Sequence, residues 1–554
     1  MPPHRFAHRP AVGGTRGVVT SAHFLASMAG AEMLLQGGNA VDAAVATAAT
    51  LNVVEPYMSG LAGCGLMLIS SARRQERVVL DYTGFTPRAA DATRVSPVDL
   101  KVGPRAVVTP GNLGGWLTAL GRFGTMPRDR ILAPAIRLAE NGFPLTLKNC
   151  EFFKKGEAQL AGSDEARRLI LGAGGNGTRW PGALFVQKDL ARSLRQIAKG
   201  GAEVFYRGPL GRAIAKAVQA EGGWLAEDDL ADCRPTWQAP IAGSFRGVEL
   251  LIPPPPCSGW QLLQTLHIIE GFELAALGHN SPEHLHLFIE AVKLASADRV
   301  AYARAPQMPQ MPQMKEVPVT GLLSKAYAAR QRERLERVHA APSGGERFSR
   351  ERLPGEVLPG HPADFMKEQT THFAAADSDT VVTVTQSLGS PFGSGFIAPG
   401  TGVFLNNFLY WTDLDPDSPN YLRGGEQIEL MMTPTQGFRD GRFVLSIGTP
   451  GSFGILQTTP QMILNHLEFG MNIQEAIEAP RVRAYRDRLL DVEARIPEAT
   501  RAALAGRGHQ VNVLDEHGGW SWVVGGAHGI TRDLESGALI GGADPRRDGY
   551  AVAV

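Results

Sequence analysis

One stretch, "TTHFAAADSDTVVTVTQS" at residues 370–387, limits the possible folds more than any other, because its pairing has almost no freedom. Two runs of β-branched and small residues, 370–376 and 381–387, flank Ser378-Asp379, a polar dipeptide suited to a two-residue hairpin turn. With the turn there, Ala376 faces Val381 and each outward step adds a pair, until Thr370 falls opposite Ser387. Residues directly opposite in an antiparallel pair share a face, with Cβ atoms about 4.5–5.5 Å apart. Two hydroxyls therefore become neighbours. Thr–Ser pairs are also ordinary sheet chemistry, so the hairpin alone carries no function.

What precedes it adds chemistry. "VHAAPSGGERFSRERLPGEVLPGHPADF", from about 338 to 366, is rich in Pro, Gly and charge and reads as a mobile loop, the kind of segment that tolerates chain cleavage. A cut between Gln369 and Thr370 would give Thr370 a free α-amine beside its own hydroxyl. An amine with a pKa of about 8 can take that hydroxyl's proton, so nucleophile and base would sit on one residue. Further on, "FVLSIGTPGSFGILQ" reads as a strand, a Gly-rich turn and a helix start. The turn could aim the N–H groups of Gly451 and Ser452 at an oxyanion.

The rest of the chain supplies a scaffold. "AHFLASMAGAEMLLQGGNAVDAAVATAATLNVVEP" has helical spacing, a stop at Gly37-Gly38 and a second start at Asn39 with Asp42, hence a helical hairpin. "GLMLISS" and "RVVLDYTGF" read as a strand pair, residues 115–300 as mainly helical, and the end of the chain as strands. Strands and helices without βαβ alternation favour a layered α+β fold. The repeat "PQMPQMPQM" at 306–314 suits an extended surface insertion. Fifty-five basic residues balance fifty-five acidic ones, which removes the long-range field that nucleic acid or an anionic membrane would need. The four cysteines are scattered, and no run reaches the ~18 apolar residues of a bilayer span. With no secretory signal at the basic N-terminus, a cytoplasmic protein with reduced thiols is expected. His284 and His286 lie two apart on a helix and so on different faces, which argues against a metal pair. "GAGGNG" at 172–177 lacks the Lys-Ser/Thr of a nucleotide loop. His372 shares the face of residue 370 and is a candidate for tuning the site.

The stretches "GGNAVDAAVATAATLNVVEP", "SGLAGCG", "RAVVTPGNLGGW", "HLFIEAVKLASADR", "TTHF", "FGSGFIAPGTGVFLNN", "SIGTPGSFG" and "GGADPRRDGYA" together resemble the γ-glutamyltransferase family of N-terminal-nucleophile hydrolases, in the family's order and across nearly the whole chain. The resemblance implies a four-layer αββα sandwich, made as an inactive precursor that cuts itself before Thr370. The products would be a large subunit, 1–369, and a small subunit, 370–554. It also implies that Ser387 supports the nucleophile and that Gly451 and Ser452 form the oxyanion turn. No cofactor or metal is implied, and homo-oligomerisation is left open.

Where the family grips a γ-glutamyl donor, this chain departs from it. By resemblance, Thr83 replaces the arginine that pairs the α-carboxylate, Leu430 and Met431 replace two serines, and Phe408 and Trp411 take the places that receive the α-ammonium. Gly389 stands where an asparagine is usual. Burying either charge without a partner costs several kcal/mol, so glutathione should be a poor donor. Phe408, Tyr410 and Trp411 are candidates to stack on an acyl or aromatic group, or else fill a core or an interface. The segment from Asp413 to Gly425 looks shortened, which suggests an open site. The expected activity is a self-processing amidohydrolase acting on a small amide with a non-γ-glutamyl acyl group such as glutaryl or oxamate. A genuine γ-glutamyltransferase or glutathione hydrolase, and an inactive binding or assembly module, are the alternatives.

Overall fold

The computed structural model describes residues 7–172, 179–304, 317–335, 337–351, 353–358 and 371–554. Gln369, Thr370, the 306–314 repeat and most of "GAGGNG" lie outside the described residues.

The expected helical hairpin forms as Phe24–Leu35 and Ala40–Val54. Asn39 caps the second helix through a reciprocal box with Asp42, satisfying amides that a helix start otherwise leaves open. All residues of Ala40–Val54 are buried. Its small side chains let the partner helix come close: a Cβ on Gly30 would meet Thr47 Oγ1 at 2.3 Å.

Two seven-stranded antiparallel sheets stand behind these helices. The first runs Tyr550–Ala553, Gly17–Ser21, Thr371–Asp377, Thr380–Ser387, Cys64–Ser71, Glu76–Tyr82, Thr236–Gln238. The second runs Val12–Gly14, Leu539–Ala543, His528–Arg532, Arg442–Gly448, Thr435–Arg439, Val248–Ile252, Ile241–Phe245. Leu66, Leu68, Ala374, Ala376 and Val381 of the first pack against Leu251, Phe438, Phe443, Ile530 and Leu539 of the second. The Phe24–Leu35 and Ala40–Val54 helices cover the outer face of the first sheet. Trp260–Ile269, Ile455–Leu467 and Ile473–Glu478 cover that of the second. The fold is α+β, an αββα sandwich. Each sheet combines strands from before residue 359 with strands from after residue 370, so a cut between them leaves two chains sharing each sheet.

The central hairpin adopts the expected register, with Thr371 opposite Gln386 and Ala376 opposite Val381. Asp377 fixes its turn by accepting from the N–H groups of Asp379 at 2.8 Å and Thr380 at 2.7 Å. Its other carboxylate oxygen accepts from Ala40 N at 2.7 Å, which ties the turn to the covering helix. Among the described residues no helix is long and apolar enough to cross a membrane, and the four cysteines are unbridged.

Candidate active site

Ser387 ends the second hairpin strand, buried, with its Oγ accepting from Gly389 N at 2.9 Å. Its neighbour Gln386 is fixed from the helix side: Trp116 Nε1 donates to Gln386 Oε1 at 2.8 Å, and Gln386 Nε2 donates to Ser59 Oγ at 2.7 Å. Gly389 has a φ of 104°, and a Cβ there would stand 2.2 Å from Asn407 Oδ1. The position therefore excludes any side chain, including the asparagine usual in the resembling family.

Strand alternation sends even-numbered residues of Thr371–Asp377 between the sheets. There His372 lies directly over Gly448, where a Cβ would be 2.4 Å from His372 Cε1. Its Nδ1 bonds Thr385 Oγ1 at 3.0 Å, and its ring stacks on His528 with centroids 6.2 Å apart. Burial, and then His528, hold its pKa well below the usual value, so His372 is neutral and packs the strand end.

Gly448 ends the strand that leads into the Gly-rich turn. Gly451 (φ 135°) and Ser452 (φ 61°) leave extended backbone, and a short 3₁₀ turn, Ser452–Gly454, opens the helix Ile455–Leu467. Among the described residues the N–H groups of Gly451 and Ser452 meet no acceptor. A buried amide without a partner is costly, and two adjacent ones at a helix start form a ready anion site. Ser452 Oγ is buried and unpartnered as well.

A narrow cleft begins at the next residue, Phe453, lined by Arg299, Arg347, Trp411, Asp413 and Glu429. Of the three aromatic candidates, Trp411 alone lines it. Phe408 is core, and Tyr410 is nearly buried beneath the cations of Lys101 and Arg347. Leu430 and Met431 back the cleft from the same core as Phe408 and Phe453. Thr83 does not reach it. Its N–H and hydroxyl both donate to Asp81 Oδ1, at 2.9 and 2.7 Å, which holds it in a separate polar cluster. Nor does the shortened segment open the site: Asp413 and Tyr421 bridge across it, and its Ser418, Pro419 and Asn420 form one wall.

Three groups carried no signal of their own in the sequence. Glu55, at the end of Ala40–Val54, accepts from Thr371 Oγ1 at 3.1 Å, one residue from the expected cleavage point. Burial pushes its pKa up to about 7 against the pull of Arg547. Glu346 is buried, with Arg483 at 3.1 Å and Gln457 Nε2 donating at 2.8 Å. Arg347 stacks on Tyr410, Trp411 and Phe453 at 5.1, 4.9 and 5.9 Å. Both come from the stretch expected to be mobile, whose described residues hold no helix or strand yet pair to Asp487 through Ser343. His284 packs on Phe469, while His286 meets His509 at 2.9 Å, with Glu290 alongside. Glu290 is already paired with Lys293 at 2.7 Å.

The family model described as gamma-glutamyltranspeptidase matches residues 26–554. An acylase ACY 1 proenzyme from Pseudomonas sp. (strain SE83) is 38% identical, covering 98% of this chain and 94% of that one. A glutathione hydrolase proenzyme from Bacillus subtilis (strain 168) is 33% identical, covering 98% and 92%. The crystal structure of cephalosporin acylase from Bacillus halodurans superimposes with a TM-score of 0.88 at 30% identity, covering 100% of this chain and 98% of that one.

Proposed function

The chain belongs to the gamma-glutamyltranspeptidase family, whose members here are self-processing amidohydrolases made as proenzymes, and from that premise we propose that it cuts itself before Thr370 and hydrolyses a small amide whose acyl group is not γ-glutamyl. The observation that carries the reading is the pair of amides of Gly451 and Ser452, which meet no acceptor among the described residues, beside a cleft whose described carboxylates, Glu346, Asp413 and Glu429, are each engaged by a neighbour. The register supports the choice of nucleophile. Thr371 pairs with Gln386, the register from which the sequence sets residue 370 opposite Ser387, and His372 of the same strand meets the strand leading to Gly451.

In this mechanism the freed α-amine of Thr370 takes the proton from its own Oγ as Oγ attacks the amide carbonyl. The N–H groups of Gly451 and Ser452 hold the oxyanion, and Ser387, itself fixed by Gly389 N–H, positions the attacking hydroxyl. Collapse passes the proton to the departing amine and leaves an ester on Thr370, which water hydrolyses to the free acid. The similarity to acylases favours glutaryl, with oxamate a second candidate. Hydrolysis is favoured over transfer, since no acceptor site is evident among the described residues.

Denaturing mass spectrometry tests the cut: wild-type protein should give two chains and Thr370→Ala one. Wild type that stays whole and inactive refutes the mechanism. The acyl preference is read from kcat/KM on γ-glutamyl- and glutaryl-4-nitroanilide. Glutaryl should lead by about tenfold or more, or about 1.4 kcal/mol. The reverse order would return the chain to the γ-glutamyl donors of its glutathione hydrolase relatives.

A further inference from the structure

The acidic groups around the cleft already have partners. Glu429 pairs with Arg299 at 2.6 Å, Glu346 with Arg483, and Asp413 accepts from Ser418 Oγ and lies within the field of Arg347 without a hydrogen bond to it. Two donors do not. Arg347 spends one nitrogen on Tyr410 O at 3.3 Å, while its Nη2 is buried and unpartnered. Trp411 Nε1 is likewise buried without an acceptor. Both residues line the same cleft, and the guanidinium lies 4.9 Å from the indole centroid. Arg347 as a whole is only partly buried, but a buried N–H of a cation that meets no acceptor gains from an anion that completes it. The surrounding rings exclude water and strengthen the attraction for a ligand that arrives with its own charge.

Resting on the amidohydrolase reading above, we propose that Arg347 and Trp411 receive the far carboxylate of an ω-carboxyacyl substrate, and that this pair decides acyl specificity. The cleft begins at Phe453, the residue after Ser452, whose ring lies 5.9 Å from the Arg347 guanidinium and 5.6 Å from the Trp411 ring. A carboxylate has two acceptor oxygens, one for Arg347 Nη2 and one for Trp411 Nε1. In this assignment Arg347 supplies the cation that Thr83 does not, from a part of the chain more than two hundred residues away.

The test compares kcat/KM for glutaryl- and pentanoyl-4-nitroanilide, which differ by a carboxylate against a methyl at the chain end. Wild type should favour glutaryl by about tenfold or more, and Arg347→Met should lower the glutaryl-to-pentanoyl ratio by about 10- to 100-fold. Trp411→Phe keeps the ring and loses one neutral donor, so the ratio should fall by about 2- to 10-fold. The ratio cancels damage common to both substrates. If Arg347→Met is not processed, Trp411→Phe decides. Ratios within threefold of wild type in both variants, or a wild type that cleaves pentanoyl as fast as glutaryl, would overturn the assignment while the amidohydrolase reading stands. A single intact chain that cleaves neither anilide would defeat both.

Discussion

Gly389→Ala is the sharpest test of how the Ser387 end is built. The new Cβ would sit 2.2 Å from Asn407 Oδ1, about 1 Å inside contact distance. Asn407 cannot simply turn away. Its Oδ1 accepts from Ser390 N, and its Nδ2 donates to Lys101 O and Ser390 Oγ, each at 2.8 Å. Releasing three such bonds costs about 3 kcal/mol at roughly 1 kcal/mol each. A φ of 104° adds about 1–2 kcal/mol for a side chain, offset by about 0.4–1 kcal/mol from the stiffer unfolded chain. The net loss is about 3–4 kcal/mol.

Gly400→Ala supplies the control, since its φ is 73° and nothing lies within 4 Å of the added Cβ, so it bears the backbone term alone. Both would be measured by urea denaturation in a Thr370→Ala background, where every variant is one chain. Gly389→Ala should lose about 2–3 kcal/mol more than Gly400→Ala. Adding Asn407→Ala should make Gly389→Ala cheaper than it is alone. Equal midpoints for the two glycine variants would refute the steric argument. The same geometry forbids restoring the family's asparagine at 389 by a single substitution, because it too would need a Cβ there.

Three further outcomes follow from local physics. Ser452→Gly should raise stability by up to about 1 kcal/mol and keep activity, because it relieves a φ of 61° and removes an unpartnered hydroxyl while leaving the N–H; a loss of kcat would give the hydroxyl a role. Acid should destabilise the protein below pH 6.5, because burial holds His23, His284, His509 and His528 at about 3 in the folded state. The unfolded chain binds those protons first, so each histidine removes up to about 1.4 kcal/mol per pH unit as pH falls from 6.5. Glu55 works the other way: its contribution is complete below pH 4.5 and is lost as pH rises through about 7, so denaturation midpoints should peak between pH 6 and 7. A midpoint that stays flat from pH 7 to 5 would show these imidazoles to be hydrated. Arg546→Met should cost about 3–5 kcal/mol, since it leaves Asp544, now 3.1 Å from the guanidinium, and Glu493 buried with less opposing charge; a loss under 1 kcal/mol in denaturant would show that Arg481 and Arg495 suffice.

What could be read from the sequence was what local rules decide. A two-residue turn fixes a register without reference to the rest of the molecule, and Asn39 with Asp42 announces a helix start in four residues. The aromatic candidates were harder, because "FLYW" at 408–411 is a 3₁₀ turn that sends its side chains in different directions. Phe408 and Trp411 share one core, but only Trp411 also lines the cleft. Composition showed the apolar character but not which ring would line the cleft. Arg347 was hidden for a stronger reason. A Pro/Gly-rich stretch carries no periodicity, so nothing local distinguishes its one stacked arginine from a solvated one. What makes that residue special is a long-range arrangement: aromatic rings some sixty to a hundred residues later in the chain, and neighbouring carboxylates that already have partners. The described part of that segment holds no helix or strand, and Glu346, Arg347 and Phe348 from it line the cleft together. A segment that looks like a mere linker before a cleavage point can therefore hold the residue that selects the substrate.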